Sequence, residues 1–248
     1  MATKVIMSVD DNPFYLDFWP LVSRVWKERI GIDPVLIHIG ESKVDDTYGE
    51  VVNIKSEEYP IHTQAQLARL WYPIHEPDTL WITSDIDMFP ISRTYWAEHS
   101  QNGDFDWKNL NTDLRNYFPI CYNVATGKNF KEILRVDDDF DGFLDTVSIN
   151  FSSDLSHTPE NWNGDVMENW SLDEVYVSSM VSSARDAGAK VEQPLRPDGF
   201  HDGRRINRTR WFYDPRGIEQ DHYIDCHSLR PYTSYKERVD ELLQCLLP

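Results

Sequence analysis

The chain has 248 residues, 40% hydrophobic and 27% charged, with a formal net charge of −18. That length suits one globular domain whose core needs no disulfide or zinc staple, and no apolar run approaches the ~18 residues of a membrane-spanning helix. The acidity sets the chain against nucleic acid, and against phosphorylated substrates unless a bound cation or a local basic cluster offsets the field. The opening MATKVIMSVDDN has no apolar stretch ending in a small-residue cleavage site, so no signal peptide is expected. Cys121, Cys226 and Cys245 are odd in number and widely spaced, which points to a reducing compartment.

No repeat or linker divides the chain, and strands alternate with helices along it. Lys4–Val9 reads as a buried strand ending in Asp10, Asp11 and Asn12. Pro13 suits a first helical position, and Phe14, Phe18, Leu21, Val22, Val25 and Trp26 predict a helix over 13–29, stopped by Gly31. Pro34–Ile39 and Val51–Ile54 read as strands, His62–Trp71 as a helix cut by Pro73, and Thr79–Ser84 as a strand running into Asp85-Ile86-Asp87. Tyr117–Ala125 reads as another strand, followed by a helix that Thr126 caps. Ser171–Ala187 reads as a helix with the capping box Ser171…Glu174. Ser234…Glu237 is a second box, opening the last helix. This order predicts an α/β fold, a mainly parallel sheet with helices on both faces, in one domain over 1–248. Ligands bind beyond the carboxyl ends of such strands, where Asp10 and the Asp85/Asp87 pair stand.

Two carboxylates one residue apart, in a loop leaving a buried strand, can converge on one hard divalent cation. A bare D-x-D also occurs as a solvated turn, but here a strand precedes it and Met-Phe-Pro-Ile follows. A second acidic pair is Asp173-Glu174. Glu174 has a capping duty, whereas Asp173, near a helix N-terminus, is free to face a substrate hydroxyl. Arg196, Arg204, Arg205, Arg208, Arg210 and Arg216 gather six of the 24 basic residues in a segment that reads as a mobile loop, one or two of whose arginines can clamp a diphosphate or an anionic acceptor. Trp162 and Trp170 flank the second acidic pair, whereas Trp19, Trp26 and Trp71 sit at core-like helical positions. Asp137-x-Asp139-x-Asp141-Gly142 begins like a calcium loop, but its twelfth position is Ser148 rather than Glu.

TLWITSDIDMFPI resembles the D-x-D segment of metal-dependent nucleotide-sugar glycosyltransferases with the GT-A fold. Further segments are similar in the same order: VIMSVDDN, HTQAQLARLWYP, FPICYNVATGKNFKEIL, NWSLDEVYVSSMV and YIDCHSLRPY. The likeness is partly to glycosyltransferase family 8, whose C-terminal His-containing motif is shortened here. The resemblance implies a GT-A-like, Rossmann-like fold with a nucleotide-binding half over 1–125 and an acceptor half over 126–248, and donor binding by Ser8, Val9, Asp10, Arg69, Ser84, Asp85 and Arg230. It implies a divalent metal, Mn²⁺ or Mg²⁺, on Asp85, Asp87 and His227, with His201 as the rival ligand. Asp173 becomes the acid facing the acceptor hydroxyl: a general base if transfer inverts the anomeric centre, a positioning group if it retains. The expected partners are a UDP-sugar donor and a glycan or other hydroxyl acceptor, with no nucleic acid and no transmembrane segment. The expected location is cytoplasmic, in a bacterium or a virus-infected cell. Three alternatives stay open: a sugar nucleotidyltransferase, although VDDNPFY has no Gly-rich basic loop; a haloacid-dehalogenase-type phosphatase, although Phe89 stands where that family has Thr or Val; and a glycan-binding module without catalysis.

Overall fold

The computed structural model describes residues 1–101, 103–111, 117–151, 172–194 and 204–247. The strands are β1 (Thr3–Asp10), β2 (Asp33–Ile39), β3 (Glu50–Asn53), β4 (Leu80–Thr83), β5 (Met88–Pro90), β6 (Trp107–Asn109), β7 (Asn123–Thr126), β8 (Val191–Glu192), β9 (Arg205–Asn207) and β10 (Asp225–His227). The helices are α1 (Pro13–Leu16), α2 (Trp19–Arg24), α3 (Ile61–Trp71), α4 (Arg93–His99), α5 (Gly127–Leu134), α6 (Phe140–Phe151), α7 (Leu172–Asp186), α8 (Pro215–Glu219) and α9 (Tyr232–Leu246).

Seven strands form one sheet in the order β3-β2-β1-β4-β7-β6-β8. β3, β2, β1 and β4 run parallel, whereas β7 is antiparallel to both β4 and β6. The chain moves outward from β1 through β2 to β3, then returns to β4 on the other side of β1. That reversal opens a crevice beyond the carboxyl ends of β1 and β4, the usual ligand position in an open α/β sheet. β5, β10 and β9 form a separate small sheet.

Period-two alternation distributes β1 between two cores. Val5, Met7 and Val9 pack with Phe18, Trp19, Val22 and Trp26 on one face, while Ile6 joins Leu67, Leu70, Phe130 and Val177 on the other. Trp26 meets Trp96 edge-on at 4.8 Å, and Trp96 meets Tyr122 at 4.7 Å. Such ring pairs add ~0.5–1.5 kcal/mol each beyond their area. Among the described residues no helix is long and apolar enough to cross a membrane.

Three sequence expectations change. The helix over 13–29 is α1, α2 and a wider π-helical turn, Val25–Ile30. Pro20 has no amide hydrogen to continue α1, so the helix restarts with Pro20 in its first turn. Gly31 still ends the run at φ 81°, a left-handed conformation that suits glycine. The strand over 117–125 is only Asn123–Thr126, because Pro119 interrupts the ladder and Tyr122 adopts φ 68°. Ser234 does not open the last helix: α9 starts at Tyr232 behind Pro231, and Tyr235 is non-helical (φ −122°, ψ 20°).

Thr126 caps α5 as expected, accepting from the Asn129 amide. A Cβ at Gly127 would lie 2.2 Å from the Pro73 carbonyl oxygen and 2.4 Å from that of Glu76. Backbone oxygens cannot swing aside, so Gly127→Ala is expected to cost about 2 kcal/mol. Urea unfolding checks this, and an unchanged midpoint would contradict the close packing of α5.

Candidate functional site

A cavity of about 420 Å³ lies at the crevice between the ends of β1 and β4. Asp10 closes β1, and its carboxylate accepts from the Asn12 amide at 3.0 Å. Asp11 turns the other way. It accepts from the Glu41 amide at 2.8 Å and meets buried His38 at 2.9 Å, which ties the loop after β2 to the end of β1. Asp10 and Asn12 line the cavity, Asn12 also capping α1 by accepting from the Phe14 amide at 3.0 Å. On α3, His62, Ala65, Gln66 and Arg69 share one face by their spacing and line the adjoining wall.

β4 ends at Thr83, and the Ser84 amide still donates to Ile6, so Asp85 is the first residue released from the sheet. Arg69 reaches under this turn. It donates to the Ser84 carbonyl at 2.9 Å, to Asp85 at 2.6 Å and to Asp173 of α7 at 3.0 Å. Burial alone would lower the Arg69 pKa; Asp85 and Asp173 outweigh it and raise it. Burial pushes the Asp173 carboxyl up against the pull of Arg69. Glu174 is pushed up to about 7 by burial and by the nearby charges of Asp173 and Asp85, and it accepts from the Tyr117 hydroxyl at 3.2 Å.

Asp87 enters the cavity by a different device. β5 pairs antiparallel with β10 in a register that sets Met88 opposite His227, and the Ser228 amide donates to the Asp87 carbonyl at 2.9 Å. His227 Nε2 thus stands 3.3 Å from Asp87 Oδ2. β9 pairs with β10 so that Asn207 lies beside His227, and Arg208 follows it into the cavity. Arg208 and Arg230 each lie 3.4 Å from the same Asp87 oxygen. Burial would raise the Asp87 pKa; His227, Arg230 and Arg208 override it and hold the carboxyl at about 2. Arg230 also donates to the Tyr15 hydroxyl at 2.9 Å and lies over the Phe14 and Tyr15 rings.

Ser8, Val9, Asp10, Arg69, Asp85, Asp87, Asp173, His227 and Arg230 all line this cavity. Ser8 spends its hydroxyl on the Ala65 carbonyl. Ser84 is the exception among the expected donor-binding residues: it is fully buried and acts through its carbonyl on Arg69. The arginine cluster is not one mobile loop, because Arg205 is in β9, bonded to both oxygens of Asp225 at 2.8 and 2.7 Å, and Arg204 donates to the His222 carbonyl. Asn12, Tyr15, His62, Gln66 and Glu174 are cavity residues that sequence patterns did not single out for binding; the face of α3 was the readable clue to His62 and Gln66. The calcium-like segment caps α6, with Asp139 accepting from the Gly142 amide. Arg196, His201, Trp162, Trp170 and Ser171 lie outside the described residues.

Among the described residues no three His, Cys, Asp or Glu side chains gather into a ligand set. Asp87 and His227 are side by side, while Asp85 is held by Arg69. Small hard cations are commonly held by one or two protein groups together with substrate phosphates. The Asp87–His227 pair, open to the cavity and flanked by two guanidinium groups, fits a cation of that shared kind rather than an all-protein cage.

No family model and no curated protein sequence matches the chain. Similar solved structures are glycosyltransferases. The galactosyltransferase LgtC, solved with donor and acceptor sugar analogs, matches with a TM-score of 0.53 at 13% identity, over 99% of this chain and 96% of that one. GlyE of Streptococcus pneumoniae matches with a TM-score of 0.53 at 8% identity, over 100% of this chain and 61% of GlyE. The bifunctional WbbM matches with 0.51 at 9% identity, over 97% of this chain and 49% of WbbM. The chain thus spans less than two thirds of GlyE and about half of WbbM. It shares their fold, a GT-A-like α/β sheet flanked by helices.

Two predictions follow from the charges. Arg69→Ala leaves Asp173 buried and unpaired beside Asp85, and is expected to cost about 3 kcal/mol in urea unfolding; a loss below 1 kcal/mol would contradict the buried bridge. Glu174 holds its proton to about 7 in the folded chain, but releases it near the ordinary 4.5 of a free glutamate when unfolded. Between those values the folded state binds more protons, so this group makes stability fall as pH rises. Glu174→Gln is therefore expected to gain Tm relative to the parent at pH 7.5 and to lose that advantage near pH 4.5. A gain that is constant with pH would contradict the raised pKa.

Proposed function

We propose that the chain transfers a glycosyl group from a nucleotide-sugar donor, a UDP-sugar on this reading, to a hydroxyl of a glycan or similar acceptor. The observation that carries the reading is the convergence of Asp87, His227, Arg208 and Arg230 in the crevice beyond the ends of β1 and β4. The GT-A-like fold supports it.

Glycosyl transfer expels a nucleoside diphosphate, whose developing charge must be stabilised. Arg208 and Arg230 supply fixed donors for it, in a chain whose overall field opposes such an anion. Asp87 and His227 would hold Mn²⁺ or Mg²⁺ together with diphosphate oxygens, and the cation would act as a Lewis acid toward the leaving group. Asp10 and Asn12 face the nucleoside end. Arg69 orients Asp85 beneath the donor sugar, with Ser84 assisting through its carbonyl. Asp173 already accepts from Arg69 and from the Glu174 amide, so it acts here as a positioning group and not as a free base.

Incubation with a panel of labelled UDP-sugars is expected to release UDP; release of pyrophosphate from a nucleoside triphosphate and a sugar phosphate would indicate nucleotidyl transfer instead. Asp87→Asn should lower turnover at least ~100-fold while the far-ultraviolet circular dichroism stays unchanged, as expected for a group that stabilises the leaving charge. Arg208→Ala and Arg230→Ala should each weaken UDP binding about tenfold, near 1.4 kcal/mol. Full activity in Asp87→Asn would contradict the assignment.

A further inference from the structure

A second cavity, of about 270 Å³, adjoins the first, and Asp85, Glu174 and His227 line both. It falls just below the ~300–1,000 Å³ range of drug-sized ligand sites. Its far wall combines an apolar face, Met88, Pro119 and the partly exposed ring of Tyr117, with the amides of Asn111 and Asn207. Rings and amides together suit the mixed apolar and hydroxyl surface of a sugar.

The charges on this wall are unequal. Arg205 is the guanidinium of the second cavity, and it is consumed: it bonds both oxygens of buried Asp225 and also donates to Asn111 at 2.9 Å. Arg69, on the wall of the first cavity, serves two carboxylates, Asp85 and Asp173. His227 stands beside Asp87. Glu174 accepts from the Tyr117 hydroxyl, a neutral donor, and makes no ion pair among the described residues. The two guanidinium groups near Asp87, Arg208 and Arg230, line the first cavity and not the second. The pair of cavities is therefore polarised, with cations where a diphosphate would lie and an unmatched acid where the acceptor would enter.

We infer that the second cavity seats an uncharged acceptor sugar, and that Glu174 turns away acceptors bearing a carboxylate or phosphate. This rests on the glycosyltransferase reading above. Like charges set opposite one another are a recognised route to specificity, because they penalise the wrong ligand without needing tighter contact to the right one. Tyr117 has two roles here: its ring is the platform for the sugar, and its hydroxyl keeps the Glu174 carboxylate turned to the cavity.

The test is saturation-transfer NMR on the full chain with UDP or GDP present, using methyl β-galactoside, methyl β-glucoside and the corresponding methyl uronides as probes. It is run at about pH 8.5, well above the value of about 7 to which Glu174 is raised, so that its carboxylate is ionised. At least one neutral glycoside is expected to bind about tenfold more tightly than its uronide, a gap of about 1.4 kcal/mol. Glu174→Gln should shrink that gap to less than about threefold. Tyr117→Ala should weaken the neutral glycoside at least about fivefold while the nucleotide affinity, titrated on the same sample, stays unchanged. Nucleotide binding with equal uptake of glycoside and uronide, or with no uptake of either, overturns this inference and leaves the donor reading standing. Failure to bind any nucleotide overturns both.

Discussion

A guanidinium with 10% of its side chain exposed holds three elements of this fold in one place. Arg69 projects from α3, takes the Ser84 carbonyl and the Asp85 carboxylate at the end of β4, and reaches Asp173 at the start of α7. Each of these groups would be costly alone in a dry site. Bound together they fix the angle at which the β4 turn leaves the sheet and hold Asp85 at its end. The arrangement is also electrically incomplete, because one cation serves two acids with Glu174 beside them. That leaves the floor of the site negative, and the surrounding cations offset it only toward the Asp87 side.

The distribution of charge around that floor gives the crevice its direction. An acidic chain would ordinarily repel a nucleoside diphosphate. Here Arg208 and Arg230 are brought to Asp87 by a short three-stranded sheet separate from the main one, so the local potential departs from the global one. The large sheet supplies Asp10 through β1 and Asp85 after β4, while the small sheet supplies His227 and the arginines. Residues from both the 1–125 and the 126–248 halves therefore line one cavity.

Much of the site was legible because its residues stand where strands end. Asp10 after β1 and Asp85 after β4 needed only the apolar runs before them, and Asp87, Arg69, Asp173, His227 and Arg230 lay in segments resembling one family. Arg208 was not distinguishable from its five neighbouring arginines, because its place depends on the register of β9 against β10, a long-range pairing that no local pattern encodes. Glu174 was assigned to a helix cap for its spacing from Ser171, yet it lines both cavities. In the fold, periodicity identified which residues of 13–29 are buried but not the break that Pro20 imposes. The apolar run over 117–125 concealed a turn at Tyr122, whose amide donates to the Thr83 carbonyl outside the regular ladder.

On the proposed function, the crevice beyond β1 and β4 binds a nucleoside diphosphate through Asp87, His227 and the two arginines. Calorimetric titration with UDP, with and without Mn²⁺, tests it most directly. Saturable binding is expected, strengthened by Mn²⁺, weakened on chelation and lost in the Arg208→Ala, Arg230→Ala double variant. Absence of binding by UDP and by GDP, with and without Mn²⁺, would contradict it.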